Sequence, residues 1–186
     1  HLASGKQAFW VCPLVEESER SELAAAEQRA AMLKQRFGDQ VALVHGRMKG
    51  LEKDAVMEGF AAGKTRLLVA TTVIEVGVDV PNASLMIVEA ADRFGLAQLH
   101  QLRGRVGRGS EKSSCILVRS AQVSETARAR LALMRETNDG FRIAEEDLKL
   151  RGAGELLGTR QSGDNPFRVA TDEQVRELIG AASADA

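Results

Sequence analysis

Apolar residues fall in short continuous runs, separated by stretches with helical periodicity. "AFWVCPLV" (8–15), "VALVH" (41–45), "TRLLVATT" (65–72), "SLMIVEAA" (84–91) and "SSCILVRS" (113–120) read as strands. Their apolar content is continuous rather than alternating, the pattern of strands covered on both faces. Between them, "SELAAAEQRAAMLKQRF" (21–37) reads as a helix that Ser21 would cap and Gly38 would end. "LEKDAVMEGFAAG" (51–63) reads as another, with Leu51, Ala55 and Phe60 at helical spacing, and residues 95–106 as a third. Strands alternating with helices predict an α/β lobe over residues 1–120, built on a doubly wound parallel sheet.

After Ser120 the pattern becomes helical. "VSETARARLALMRETN" (123–138), with Leu131 and Met134 on its apolar side, is followed by the turn Asn138-Asp139-Gly140 and a second helix, "FRIAEEDLKLR" (141–151). This hairpin leads into "GAGELLGTRQSG" (152–163), where four glycines in twelve residues predict a loop of defined shape. The hairpin and loop form a second region, 121–163, and the polar, alanine-rich tail 164–186 is expected to lack order.

Hydrophobic residues make up 44% of the 186 positions and charged residues 27%, ordinary globular usage. With a formal net charge of −1, any nucleic-acid contact has to be a local basic patch. No run approaches the length of a membrane span, so a cytoplasmic protein with no membrane partner is expected. Cys12 and Cys115 sit in separate apolar runs without a second ligand at metal spacing and read as buried free thiols. The sequence opens at His1 without an initiator methionine and is expected to be part of a longer chain.

"GFAAGKT" (59–65) resembles a phosphate loop but is one residue short between its glycines, and it follows a helix and precedes a strand. A phosphate loop has the opposite order, because it uses the amides that open a helix. The segment is therefore expected to be a helix C-terminus, ended by Gly63 with Lys64 near its negative end. No acidic run for magnesium accompanies it.

"QLHQLRGRVGRG" (98–109) contains Gln101, Gly104, Arg105, Gly107 and Arg108. Arg105 and Arg108 are three apart, so a helical turn would present both guanidiniums on one side, with the glycines removing side chains that block approach. Planar guanidiniums suit phosphate oxygens; the alternative is a solvated basic helix end. "ATTVIEVGVDVPNASLMIV" (70–88) places Thr71, Thr72, Gly77 and Asp79 after a strand, at the sheet edge where open α/β folds bind ligands. Its alternative is a plain connection in which Asp79 caps a helix.

Together these two stretches resemble the fifth and sixth motifs of superfamily-two helicases, in their second RecA-like lobe. The resemblance implies an ATP-dependent motor in which ATP with Mg2+ is held mainly by a first lobe. Arg105 and Arg108 would be arginine fingers toward the γ-phosphate, Gln101 their polar neighbour, and Gly77 and Asp79 contacts near the ribose and phosphates. "HGRMKGLEKDAVMEGF" (45–60) resembles the family's H-G turn, so His45, Gly46, Thr71 and Thr72 would meet nucleic-acid phosphates; His45 also reads as a packed strand-end residue. Val76 stands where the RNA-dependent branch has arginine, which argues against that branch.

"DGFRIAEEDLKLRGAGELLGTRQSG" (139–163) resembles the translocation motif shared by the RecG family and the bacterial transcription-repair coupling factors, and "LLGTRQSG" resembles the RecG form. The resemblance implies a monomeric, nucleoid-associated double-stranded DNA translocase acting on forks and junctions, completed by an N-terminal lobe and wedge domain. Arg130, Arg151 and Gln161 would be its coupling residues. A coupling-factor lobe, or a non-catalytic binding module with the hairpin as a structural clip, are the alternatives.

Overall fold

The computed structural model describes residues 1–13, 19–71, 80–107 and 112–151. Five strands, β1 (Gln7–Cys12), β2 (Val41–Val44), β3 (Leu67–Thr71), β4 (Ala83–Val88) and β5 (Ser114–Leu117), form one parallel sheet in the order β2-β3-β1-β4-β5. The helices are α1 (Glu19–Phe37), α2 (Gly50–Ala61), α3 (Leu96–Arg103), α4 (Glu125–Glu136) and α5 (Gly140–Arg151). The RecA-like doubly wound parallel sheet is the architecture expected from the sequence, and two further helices, α4 and α5, follow it in the chain. The chain divides into two compact units, His1–Ala144 and Glu145–Ala186, so α4 belongs with the sheet.

Alternation along each strand sends side chains to two layers. On one face Ala8, Cys12, Leu67 and Val69 pack with Ala26, Ala30 and Leu33 of α1, which lie at helical spacing, and the two small alanines let the helix lie close. Across that packing, Trp10 Nε1 donates to Glu89 Oε1 (2.8 Å), and Arg29 pairs with the same carboxylate (2.6 Å) while lying 5.6 Å over the indole. On the other face Phe9 meets Phe60 of α2, with ring centroids 5.1 Å apart. Burial pushes the Cys12 thiol up to about 12, with Glu89 adding and Arg29 opposing, so it is an inert core group.

α2 buries Met57 and Phe60 and leaves Leu51 87% exposed, unlike the expected apolar stripe. Leu51 lies nine residues, two and a half turns, before Phe60 and so falls on the opposite side. Gly63 takes φ 74°, its N–H donates to Phe60 O (2.9 Å) and Lys64 N–H donates to Gly59 O (2.9 Å). That pair of bonds closes a helix with a left-handed glycine. "GFAAGKT" is thus the end of α2, as expected.

Other differences are local. The first strand stops at Cys12, because Pro13 has no N–H for a ladder. β5 is an edge strand with Ile116 48% and Val118 44% exposed, so its continuous apolar run does not mean cover on both faces. On α4, Ser124 Oγ accepts from Ala127 N–H, and Leu133 rather than Leu131 is buried beside Met134. Asp139 Oδ1 accepts from Phe141 N–H (2.9 Å) and opens α5, in which Ile143 is buried. The glycine-rich loop and the tail lie outside the described residues.

Gln7 is the polar hub of the core, 1% exposed. Its Nε2 donates to the carbonyls of Phe60 and Thr65, and its Oε1 accepts from Asn82 Nδ2 (3.3 Å), tying β1 to the end of α2 and the entry of β4. Gln7→Leu removes the Gln7 donor from the Thr65 carbonyl and one of the donors to the Phe60 carbonyl, and breaks the bond to Asn82, and should lower unfolding stability by about 1–3 kcal/mol. A urea midpoint unchanged by this substitution would show that the hub contributes nothing.

Candidate functional site

Parallel strands place all their carboxyl ends on one sheet edge, and two of the expected nucleic-acid residues sit there. His45 follows β2 and its carbonyl accepts from Met48 N–H (3.2 Å), making the turn that exposes Gly46. Its Nδ1 is buried without a hydrogen-bond partner among the described residues. Thr71 ends β3, pairs with Cys12 and is 6% exposed, so its side chain faces the core as much as the edge. Thr72, Gly77 and Asp79 lie outside the described residues.

The second group is carried by α3. Leu96, Leu99 and Leu102 face the core, which leaves Gln101 on the exposed side. The helix ends at Arg103 rather than near 106. Gly104 N–H donates to His100 O and Arg105 N–H to Leu102 O, both 3.0 Å, and Gly107 takes φ 84°. Arg105 is half-buried in this turn. The helical-turn argument for presenting Arg105 and Arg108 together does not hold, since a left-handed glycine separates them; Arg108 lies outside the described residues.

The two glycines also differ. A Cβ on Gly104 would meet nothing nearer than 3.5 Å, so the chain itself does not require glycine there. A Cβ on Gly107 would overlap Ser113 Oγ and lie 3.0 Å from Ser113 Cβ. Gly107 therefore packs against the entry to β5, whose Ser114 is level with Leu85, Ala8 and Leu67. Thr71 lies four residues further along and three strands across, about 13 Å and about 14 Å away in those two directions. The strand-edge set and the arginine turn are separate places on one sheet.

Residues that the sequence reading passed over tie α4 to the lobe: Arg103 with His100 at the end of α3, and Asp92 after β4. Arg103 Nη1 donates to the carbonyls of Met134 and Thr137, both at 2.7 Å, and Nη2 bonds His100 Nδ1 at 3.1 Å. Arg130, an expected coupling residue, donates from Nη2 to Asp92 O (3.1 Å), with its Nε buried and without a partner among the described residues. The Asp92 carboxylate in turn accepts from Ser120 N–H (2.8 Å) and Ser120 Oγ. Desolvation pushes the Asp92 pKa up, but the Ser120 backbone bond, its own backbone N–H, the Ser120 hydroxyl and Arg93 together outweigh it and hold it below 3.8. An arginine in a helix's last turn ordinarily serves its own carbonyls, and nothing in sequence spacing shows that Arg103 serves those of α4. Arg151 ends α5; its side chain and Gln161 lie outside the description. Among the described residues no group of three or more His, Cys, Asp or Glu side chains is placed to hold a metal ion.

The family model of the helicase conserved C-terminal domain matches residues 1–110, more than half of the chain. The chain belongs to the helicase conserved C-terminal domain family. Beyond that domain, the model for the ATP-dependent DNA helicase RecG, domain 3, C-terminal, matches residues 137–179. The ATP-dependent DNA helicase RecG of Acidithiobacillus ferridurans is 59% identical over 184 residues, covering 97% of this chain and 27% of that protein. RecG of Escherichia coli strain K12 is 59% identical over 170 residues, covering 91% of this chain and 24% of that protein. The helicase C-terminal chain thus spans about a quarter of these relatives. A solved structure of RecG bound to a three-way DNA junction matches with TM-score 0.70 at 46% identity, covering 96% of this chain and 22% of that one. S. cerevisiae Dbp5 bound to RNA and ADP BeF3 matches with TM-score 0.55 at 17% identity, covering 81% and 39%, which shows a shared fold alone.

Two predictions follow from the geometry of this helicase domain. Gly107→Ala meets both a positive φ and Ser113, and should cost about 1–2 kcal/mol from the backbone alone; adding Ser113→Gly should recover only the part due to contact, as read from paired urea midpoints. Asp92 has a lowered folded pKa, so its contribution is present above the unfolded value of 3.8 and is lost as pH falls through the lower folded value. The stability gap between the parent and Asp92→Asn should therefore be constant near neutrality and shrink below that value, whereas a gap independent of pH would remove Asp92 from the network.

Proposed function

We propose that the chain is the second motor lobe (1–120) and the translocation hairpin with its loop (121–163) of an ATP-dependent double-stranded DNA translocase. The whole protein reverses stalled replication forks and migrates branched junctions, as a monomer in the bacterial cytoplasm and on the nucleoid. The observation that carries this reading is the continuity of the similarity: 59% identity to a RecG helicase runs over 184 residues, through both lobe and hairpin. RecG bound to a three-way junction supports branched DNA as the partner.

The residues present suit one side of a shared nucleotide site. The segment 59–65 is spent on ending α2 and cannot cradle phosphate, while Gln101 is exposed beside the arginine turn. ATP with Mg2+, held mainly by the first lobe, supplies the phosphoanhydride bond whose hydrolysis drives the cycle. Arg105 and Arg108 would donate to the γ-phosphate oxygens and stabilise charge there, with Gln101 their polar neighbour, and Gly77 and Asp79 would be the contacts near the ribose and phosphates. His45, Gly46, Thr71 and Thr72 hold the DNA backbone, where contacts position rather than read sequence. Arg130, Arg151 and Gln161 couple closure of the lobes to movement of the duplex.

In a full-length protein, Arg108→Ala should lower ATP hydrolysis by about 10³–10⁵ with DNA binding kept, the size of an arginine-finger effect; hydrolysis near the parent rate would refute the finger assignment. Gln161→Ala should keep much of the hydrolysis and lose fork unwinding. Equal loss of both would reduce the loop to a structural clip.

A further inference from the structure

Arg103 lies two residues before Arg105, yet its guanidinium turns to the neighbouring helix and to its own His100. The carbonyls of Met134 and Thr137 that it binds lie at the end of α4, where a helix runs out of its own donors and presents the negative end of its dipole. Arginine offers only donors, so the facing His100 Nδ1 accepts. The His100 Nε2 lies 3.1 Å from the point where a Cβ on Gly140 would stand. The last turn of α3 therefore grips the end of α4 through Arg103 and abuts the first residue of α5 through His100.

On the functional reading above, we infer that Arg103 is a positioning residue that carries movement of the arginine turn into the hairpin, with His100 orienting its guanidinium. The chain between Arg103 and Arg105 has no slack: Gly104 N–H and Arg105 N–H both bond back to α3, at 3.0 Å each. A displacement of Arg105 is consequently a displacement of the last turn of α3. The end of α4 follows, since lagging behind breaks two charge-assisted bonds in a partly buried setting. Arg130 acts elsewhere on the same helix. It fastens α4 to the backbone of Asp92 after β4, a bond that includes no part of α3. One arginine anchors the hairpin to the sheet, and the other transmits the motion of the nucleotide-facing turn.

The test uses the full-length protein, with ATP hydrolysis and fork unwinding measured on the same preparations. Arg103→Ala should retain DNA-stimulated hydrolysis while base pairs unwound per ATP fall about tenfold or more, since both charge-assisted bonds to α4 are lost. Arg103→Lys keeps the charge and donors for the carbonyls and should recover most of that ratio. Met134→Ala weakens the packing of α4 without touching the backbone carbonyls, and should lower the melting temperature while leaving the ratio unchanged. Proportional loss of hydrolysis and unwinding in Arg103→Ala, or an equal fall in the ratio for Met134→Ala, would overturn the inference alone. A parent protein that neither hydrolyses ATP nor unwinds forks would overturn the functional reading and this inference together.

Discussion

A parallel strand cannot turn straight back onto its neighbour; each must be reached by a crossover, and every strand then ends on the same edge. This constraint shapes the lobe. It forces α1, α2 and α3 onto the sheet faces and sets the two candidate groups apart. His45 and Thr71 stand at carboxyl ends because β2 and β3 stop there. The arginine turn stands at the other end of a crossover, where Gly107 closes on Ser113 and the chain enters β5. The two groups are thereby mounted on different ends of the same sheet.

Much of this was legible in the sequence for a simple reason: buried parallel strands leave continuous apolar runs, and alanine-rich helices that cover them leave a period of 3.6. The false phosphate loop was readable from its order, helix before strand, and the bonds around Gly63 give the physical account. Helix ends were less legible. The reading of 95–106 as one helix ran past the true end at Arg103, and the left-handed Gly107 makes the three-residue spacing of Arg105 and Arg108 irrelevant. Leu51 misled because apolar residues at roughly helical spacing need not share a face. Arg103, His100 and Asp92 were missed because their partners lie on other elements, and contacts across elements leave no local period.

α4 is held to the lobe by polar bonds as well as by its buried Ala127, Leu133 and Met134. Arg103 and Arg130 each bind backbone carbonyls, which every sequence possesses, so the arginine alone must be specified at each joint. Such joints hold direction as well as distance, because a guanidinium plane bonds only along its fork. A greasy contact between α3 and α4 would allow sliding; these bonds resist it.

β5 has a further consequence. It is four residues long and forms the end of the sheet, and among the described residues nothing pairs with its outer edge. Ile116 and Val118 are half open beside those unpaired amides and carbonyls. Exposed edges of this kind template strand addition by other chains, and shortness is one of the ways proteins limit it. The lobe separated from the rest of a longer protein is therefore expected to be prone to self-association along β5, and a charged residue in place of Ile116 is the natural remedy for anyone preparing it in isolation.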